Sequence, residues 1–200
     1  MPRCWLAALL FAALPAQAQE AERVDALTAR SLGETVERVK TNDGGTAERR
    51  STLVYDPVAG AYVTTTFDGS GLVLDRTVRR SAMVGPSPAE ERTAQSLIRS
   101  DAELAALISA SLAPVTISGG FPLVREDGHA CGPGSRCLMY DVFAVAPPDR
   151  RGARSRATRL RFVVVDLRAV RLLSNDFDAA RDGNFANPEI RARSRARDSR

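Results

Sequence analysis

The sequence predicts an α+β fold: an antiparallel sheet of meanders covered on one face by a helical segment. Three observations predict it. Runs rich in β-branched and aromatic residues, punctuated by Asp, Pro and Gly, fill residues 33–78, the composition of a strand meander. One stretch near the middle, "GPSPAEERTAQSLIRSDAELAALISASL", switches to helical spacing. The strand signal then returns in residues 114–174. Meander, helix, meander is the order of a helical layer laid on one face of antiparallel strands, with the other face open.

The chain opens "MPRCWLAALLFAALPAQAQE". Arg3 supplies positive charge, Trp5 to Leu14 form an apolar core, and Ala16-Gln17-Ala18 fits a small-x-small cleavage site. Residues 1–18 therefore read as a secretory signal peptide. The apolar run is about ten residues, short of the ~20 that a membrane span needs. No later run is long enough either, so an exported protein without a membrane span is expected, periplasmic or extracellular.

Residues 19–86 form an N-terminal β-meander region. Gln19 to Arg30 are a polar, Ala-rich lead with the composition of a loose helix. Gly33 to Thr41 read as a first strand, followed by the turn-rich "NDGGTAERR". "STLVYD", "AYVTTTFD" and "LVLDRTV" are strands separated by turns at Pro57–Gly60 and Gly69–Gly71.

Residues 87–190 hold the helix and a second set of strands. Ser87 with Glu90 is a capping box, and Pro88 falls at the first helical position, where its missing N–H costs nothing. Ala94, Leu97 and Ile98 share one face, as do Leu104, Leu107 and Ile108. "SDAE" at Ser100 to Glu103 resembles a second cap, which divides the segment into two helices with a kink. The apolar stripe is core, not a cofactor surface. "PVTIS", "FPLVRE", "CLMYDVFAVA" and "ATRLRFVVVDLRAVRLLS" follow as strands, the last with a turn near Asp166–Ala169. "PPDRRGARSRA" is a surface loop, and residues 191–200, "RARSRARDSR", have the composition of a disordered tail.

Charge is unevenly placed. Of 28 basic residues only Lys40 is a lysine. Gln19 to Pro148 hold 13 basic and 17 acidic residues, whereas Asp149 to Arg200 hold 14 and 7. The basicity thus belongs to the C-terminal quarter. Its arginines suit anionic groups, but no aromatic residues interleave them as a nucleic-acid stacking platform requires. An anionic envelope component is the partner they would fit; nucleic acid is not expected.

Chemistry concentrates in "DGHACGPGSRCLMYD", which holds the only histidine, His129, with Cys131 and Cys137. Cys4 leaves with the signal peptide, so an even pair of cysteines remains in an oxidising compartment. Three readings are open. Asp127, His129, Cys131 and Cys137 supply four possible metal ligands, in a spacing that fits no common zinc signature. One cysteine beside His129 would make a nucleophile pair, which the second cysteine is placed to consume. A Cys131–Cys137 disulfide would close a loop of about seven residues, for which chain entropy gives about 2 kcal/mol. The sequence favours the disulfide, with His129 a surface residue. Glu126 and Asp127 read as solvated loop acids, and Asp166 as a turn residue accepting backbone N–H bonds.

The order of elements resembles the small N-terminal domains of copper amine oxidases, cystatin-like (or PepSY-like) α+β modules. "SPAEERTAQSLIRSDAELAALI" is similar to the acidic-capped helix that opens such a domain, and "RLRFVVVDLRAVRLLSNDFD" to the strand-turn-strand that follows. "TLVYDPVAGAYVTTTFDGSGLVLDRTV" resembles a comparable unit in the preceding small domain, and "NFANPEIR" the segment that hands the chain onward. The resemblance implies a peripheral module without the catalytic domain. That family's copper needs three histidines, and its quinone a tyrosine in an Asn-Tyr-Asp/Glu setting. This chain has one histidine, and neither Tyr55, Tyr62 nor Tyr140 has that setting. No catalytic, cofactor-binding or metal residue is assigned. The expected function is therefore a non-catalytic module binding a protein partner. The alternatives are an accessory subunit of a separately encoded amine oxidase, and an envelope-binding protein using the Arg-rich end.

Overall fold

A computed structural model describes residues 25–148 and 155–184. The predicted signal peptide, most of the 147–157 loop and the 191–200 tail lie outside these residues. The two meanders form two separate antiparallel sheets. β1 (Arg30–Lys40), β2 (Thr46–Asp56), β3 (Ala61–Asp68) and β4 (Val73–Arg79) pair in sequence order in the first. β5 (Val115–Leu123), β6 (Cys137–Ala146), β7 (Arg156–Asp166) and β8 (Arg171–Ser174) do the same in the second. Between them run α1 (Pro88–Ser100) and α2 (Ala102–Ala110); the short α3 (Ala179–Asp182) follows β8.

Three of the hairpin turns use one device. Asp56, Asp68 and Asp166 each end a strand, and each turns Oδ1 back to accept backbone N–H bonds from the residues that follow, at 2.9–3.3 Å. A short carboxylate in this position substitutes for a backbone turn. The helix starts are equally local. Glu90 N–H donates to Ser87 Oγ (3.3 Å) and Ser87 N–H to Glu90 Oε2 (3.0 Å), completing the capping box. Asp101 ends α1 and caps α2 by accepting from Leu104 N–H (3.0 Å), so the predicted kink falls at this residue.

The main core lies between the helices and the second sheet. Ala94 and Ile98 of α1 and Leu104 of α2 pack on Leu138, Tyr140 and Val142 of β6 and on Val163 and Val165 of β7. Alternation along β6 explains the choice, since Leu138, Tyr140 and Val142 share the helix-facing side. Ile98, Leu104 and Leu138 are fully buried, so truncating any of them to Ala costs about 2–5 kcal/mol.

Three details depart from the sequence reading. The second sheet's far face is not open: Cys131, Cys137, Leu123, Val164 and Phe177 form a smaller cluster on it. "PVTIS" and "FPLVRE" are one strand, because Gly119 and Gly120 adopt φ of 142° and 80° and carry the chain through a bulge. A Cβ on Gly119 would meet Met139 O at 2.6 Å. Pro122 is tolerated in the same strand because β5 is an edge. Finally, β1 begins at Arg30 rather than Gly33, and Asp25 to Ala29 form bends rather than a helix.

Candidate functional site

Cys131 and Cys137 are joined, with S–S 2.11 Å and Cα atoms 5.5 Å apart. Both are buried in the smaller cluster. The loop around them is folded by its own backbone: Arg125 N–H donates to Cys131 O, Gly132 N–H to His129 O and Ser135 N–H to Gly132 O, at 2.8–3.0 Å. Gly132 sits so close to Glu126 O that a Cβ would approach it to 2.6 Å. His129 is exposed, and its Nδ1 accepts from Cys131 N–H (2.9 Å). Bonded cysteines supply neither thiolate nor nucleophile. Among the described residues no group of three His, Cys, Asp or Glu is placed to hold a metal ion. The stretch is a covalent clip.

The residues inside the clip face the first sheet. Tyr55 of β2 donates its hydroxyl to Gly134 O, and Tyr62 of β3 to Ser135 O, both at 2.9 Å. Arg80, just past β4, donates Nη2 to Pro133 O (3.3 Å), while Gly134 N–H donates to Arg80 O (2.6 Å). Arg168 reaches the other way, from the β7–β8 turn to Pro57 O (2.9 Å). Gly60 and Gly134 approach so closely that a Cβ on either would lie 3.0–3.1 Å from the other's carbonyl oxygen.

Arg136, also inside the clip, is fully buried against the fully buried Glu90. Its Nε donates to Glu90 Oε1 (3.1 Å) and its Nη2 to Oε2 (2.8 Å); Nη1 and Nη2 also donate to Val84 O and Gly85 O. Arg30 of β1 approaches from the opposite side, donating to Glu90 Oε1 (3.5 Å) and Leu167 O (3.0 Å). One carboxylate therefore serves a helix cap and two guanidinium groups. Arg30 Nε has no hydrogen-bond partner among the described residues, so this arm is the less satisfied one. Burial lowers the Arg30 pKa although Glu90 opposes it. Burial also disfavours charge on Arg136, but the hydrogen bonds and charge of Glu90 outweigh it and raise the pKa. Burial pushes the Tyr55 and Tyr62 hydroxyls above their ordinary range. It does the same to Tyr140, whose hydroxyl donates to Glu91 Oε2 (2.8 Å).

A cavity of about 260 Å³ opens beside the clip, lined by Leu123, Arg125, His129, Cys131, Phe177 and Asp182 among others. Its floor is the smaller apolar cluster. Arg125 spends Nη1 on Asp182 O (3.2 Å) and Gly183 O (3.1 Å). The hydrogen bond from Arg181 holds the Asp182 carboxyl down at about 2. Of the predicted acids, Asp166 sits at its turn and Glu126 and Asp127 are exposed; they do not converge.

A surface of a different kind lies on the first sheet. Register places Val36, Arg50, Phe67 and Val73 in one row across all four strands, and Val54, Val63 and Val78 in another row on the same face. Tyr55 and Tyr62 point from the opposite face. Both buried apolar clusters belong to the second sheet, and Val36, Val73 and Val78 are 54%, 52% and 60% exposed. Arg50 lies over the Phe67 ring at 5.0 Å.

No protein-family model matches the sequence, and no curated protein does. Among solved structures, the chain is similar to a copper-containing benzylamine oxidase from Hansenula polymorpha, with 11% identity and a TM-score of 0.45. The match covers 66% of this chain and 21% of that one. The chain therefore spans about a fifth of the solved chain it resembles. A likeness at this level describes part of a backbone course and nothing of the chemistry.

Sequence reasoning placed the clip but missed what it faces. Glu90 was legible as a helix cap, and its second role as the counter-charge of Arg30 and Arg136 leaves no local signal. Three positions separated by 46 and 60 residues meet only once the sheets dock.

Proposed function

We propose that this chain is an exported, non-catalytic module that binds a protein partner through the uncovered face of its first sheet. One observation carries the reading: six apolar side chains stand in two registered rows on a face that, among the described residues, has no buried apolar cluster. Burying such surface gains about 25 cal/mol per Å². Phe67 with Arg50 stacked on it adds the aromatic and arginine content typical of interface centres. The closed disulfide and the signal-like leader support export. Charged residues on both edge strands, among them Glu34, Glu37, Asp75 and Arg79, favour a partner on the face over strand addition at the edge.

The test is a pair of charge substitutions, Val73→Glu and Val78→Glu, in protein recovered from its native exported fraction. Both positions are exposed, so each should change folding stability by about 0.5 kcal/mol or less. Native mass spectrometry of the unsubstituted protein is expected to show a bound protein or a second copy that both variants lose. Equal complex content in all three proteins would refute the reading.

A further inference from the structure

We propose that the Cys131–Cys137 disulfide is a redox-sensitive lock on the joint between the two sheets. With the bond closed, residues 133–136 hold the first sheet in place. With the bond reduced, the first sheet undocks while the helix-backed sheet keeps its fold. This concerns the joint alone and stands apart from the reading of the uncovered face.

Four consecutive residues within the clip carry the argument. Pro133 O, Gly134 O and Ser135 O accept from Arg80, Tyr55 and Tyr62, and Gly134 N–H returns a bond to Arg80 O. Arg136 then delivers its guanidinium to Glu90, Val84 O and Gly85 O. The contacts reach the end of β2, the start of β3 and the exit of β4, so three of the four strands are held through one short loop. Neither buried apolar cluster contains a residue of the first sheet. Beyond the buried Tyr55 and Tyr62 rings, docking rests on where a few backbone carbonyls lie, and the covalent closure at 131 and 137 fixes them.

Outside the clip, two arginine side chains carry the remaining hydrogen bonds across the joint among the described residues. Arg30 reaches Glu90 and Leu167 O, and Arg168 reaches Pro57 O and Val58 O. The helix-backed core, by contrast, contains neither cysteine. It has its own reason to survive reduction.

The chemistry is thiol–disulfide exchange with a dithiol reductant. A thiolate of the reductant attacks one cysteine sulfur, the S–S bond breaks, and the second reductant thiol closes on the mixed disulfide. Two electrons pass to the protein, both cysteines end as thiols with the protons the reductant gave up, and the reductant leaves as its cyclic disulfide. Both cysteines are buried, and the cavity of about 260 Å³ lined by Cys131 and His129 is the approach to the Cys131 sulfur.

The experiment is hydrogen–deuterium exchange on the full chain, oxidised and after dithiothreitol, with thiol alkylation and mass measurement confirming the redox state. Loss of two docking hydrogen bonds raises the open population by about tenfold or more. Exchange in β2 and β3 is therefore expected to accelerate by at least that factor, while β6 and β7 change by less than about twofold, as separate cooperative units do. A second variant, Tyr55→Phe with Tyr62→Phe, leaves the disulfide intact and should loosen β2 and β3 without reductant. Equal acceleration in both sheets on reduction, or none in either, would overturn the proposal. So would a Tyr55→Phe/Tyr62→Phe protein whose first sheet exchanges like the unsubstituted one.

Discussion

Removing the charge of Glu90 should cost more than any other single-atom change in the protein. Glu90 is 0% exposed, as is Arg136, and Arg30 is nearly so. Each of its oxygens accepts twice: Oε1 from Arg30 Nη1 and Arg136 Nε, Oε2 from Arg136 Nη2 and Ser87 N–H. In Glu90→Gln the shape is kept, yet whichever way the amide is turned its NH₂ faces two donors. Two buried guanidinium groups also lose their counter-charge. Breaking a buried pair in this way costs about 3–5 kcal/mol, a large share of the 5–15 kcal/mol that holds a typical domain. Ser87→Ala removes the cap while sparing the ion cluster, and should cost only about 0.5–2 kcal/mol. Arg30→Met should cost less than Arg136→Met, because Arg136 satisfies two carbonyls besides Glu90, while Arg30 satisfies one and leaves Nε without a partner among the described residues. Urea denaturation followed by circular dichroism, with linear extrapolation, measures all four. A Glu90→Gln protein within about 1 kcal/mol of the unsubstituted one would refute the reasoning.

Other outcomes follow from the same contacts. Tyr55, Tyr62 and Tyr140 titrate above their ordinary value of 10.0 when folded. Their hydroxyls stay protonated in the fold while the unfolded chain ionises. Stability is therefore complete below pH 10 and falls above it, by up to about 1.4 kcal/mol per tyrosine per pH unit. A melting temperature that stays level between pH 9 and pH 11 would contradict this. Gly119→Ala forces a Cβ to 2.6 Å from Met139 O at a φ of 142°, and strain of this kind costs about 1–3 kcal/mol. Gly85→Ala meets nothing within 4 Å and should stay within about 0.5 kcal/mol; equal melting temperatures for the two variants would show that the bulge carries no constraint.

Local chemistry made much of the fold legible. Asp56, Asp68 and Asp166 announce their turns because a carboxylate at a strand end captures N–H groups two to four residues further on. Ser87, Glu90 and Asp101 announce the helix starts for the same reason. The Cys131–Cys137 pair was legible because only six positions separate the residues. What the sequence did not carry is long-range. Gly119-Gly120 looked like a strand break, since the bulge that joins the two halves of β5 depends on the partner strand β6. The division into two sheets depends on Tyr55 and Tyr62 docking on carbonyls more than 70 residues away. Val36, Val73 and Val78 read as ordinary strand residues; that nothing apolar among the described residues covers them is a property of the assembled sheets, which no short window contains.

The most direct test of the account is site-specific photo-crosslinking from the two faces of the first sheet. A photoreactive side chain at Val73 or Val78 probes the uncovered face, and one at Thr77, whose register neighbour is Thr64, probes the opposite face. The account predicts one discrete crosslinked species, a partner protein or a second copy, from Val73 and Val78 and not from Thr77. The same species from all three positions, or from none, would contradict it.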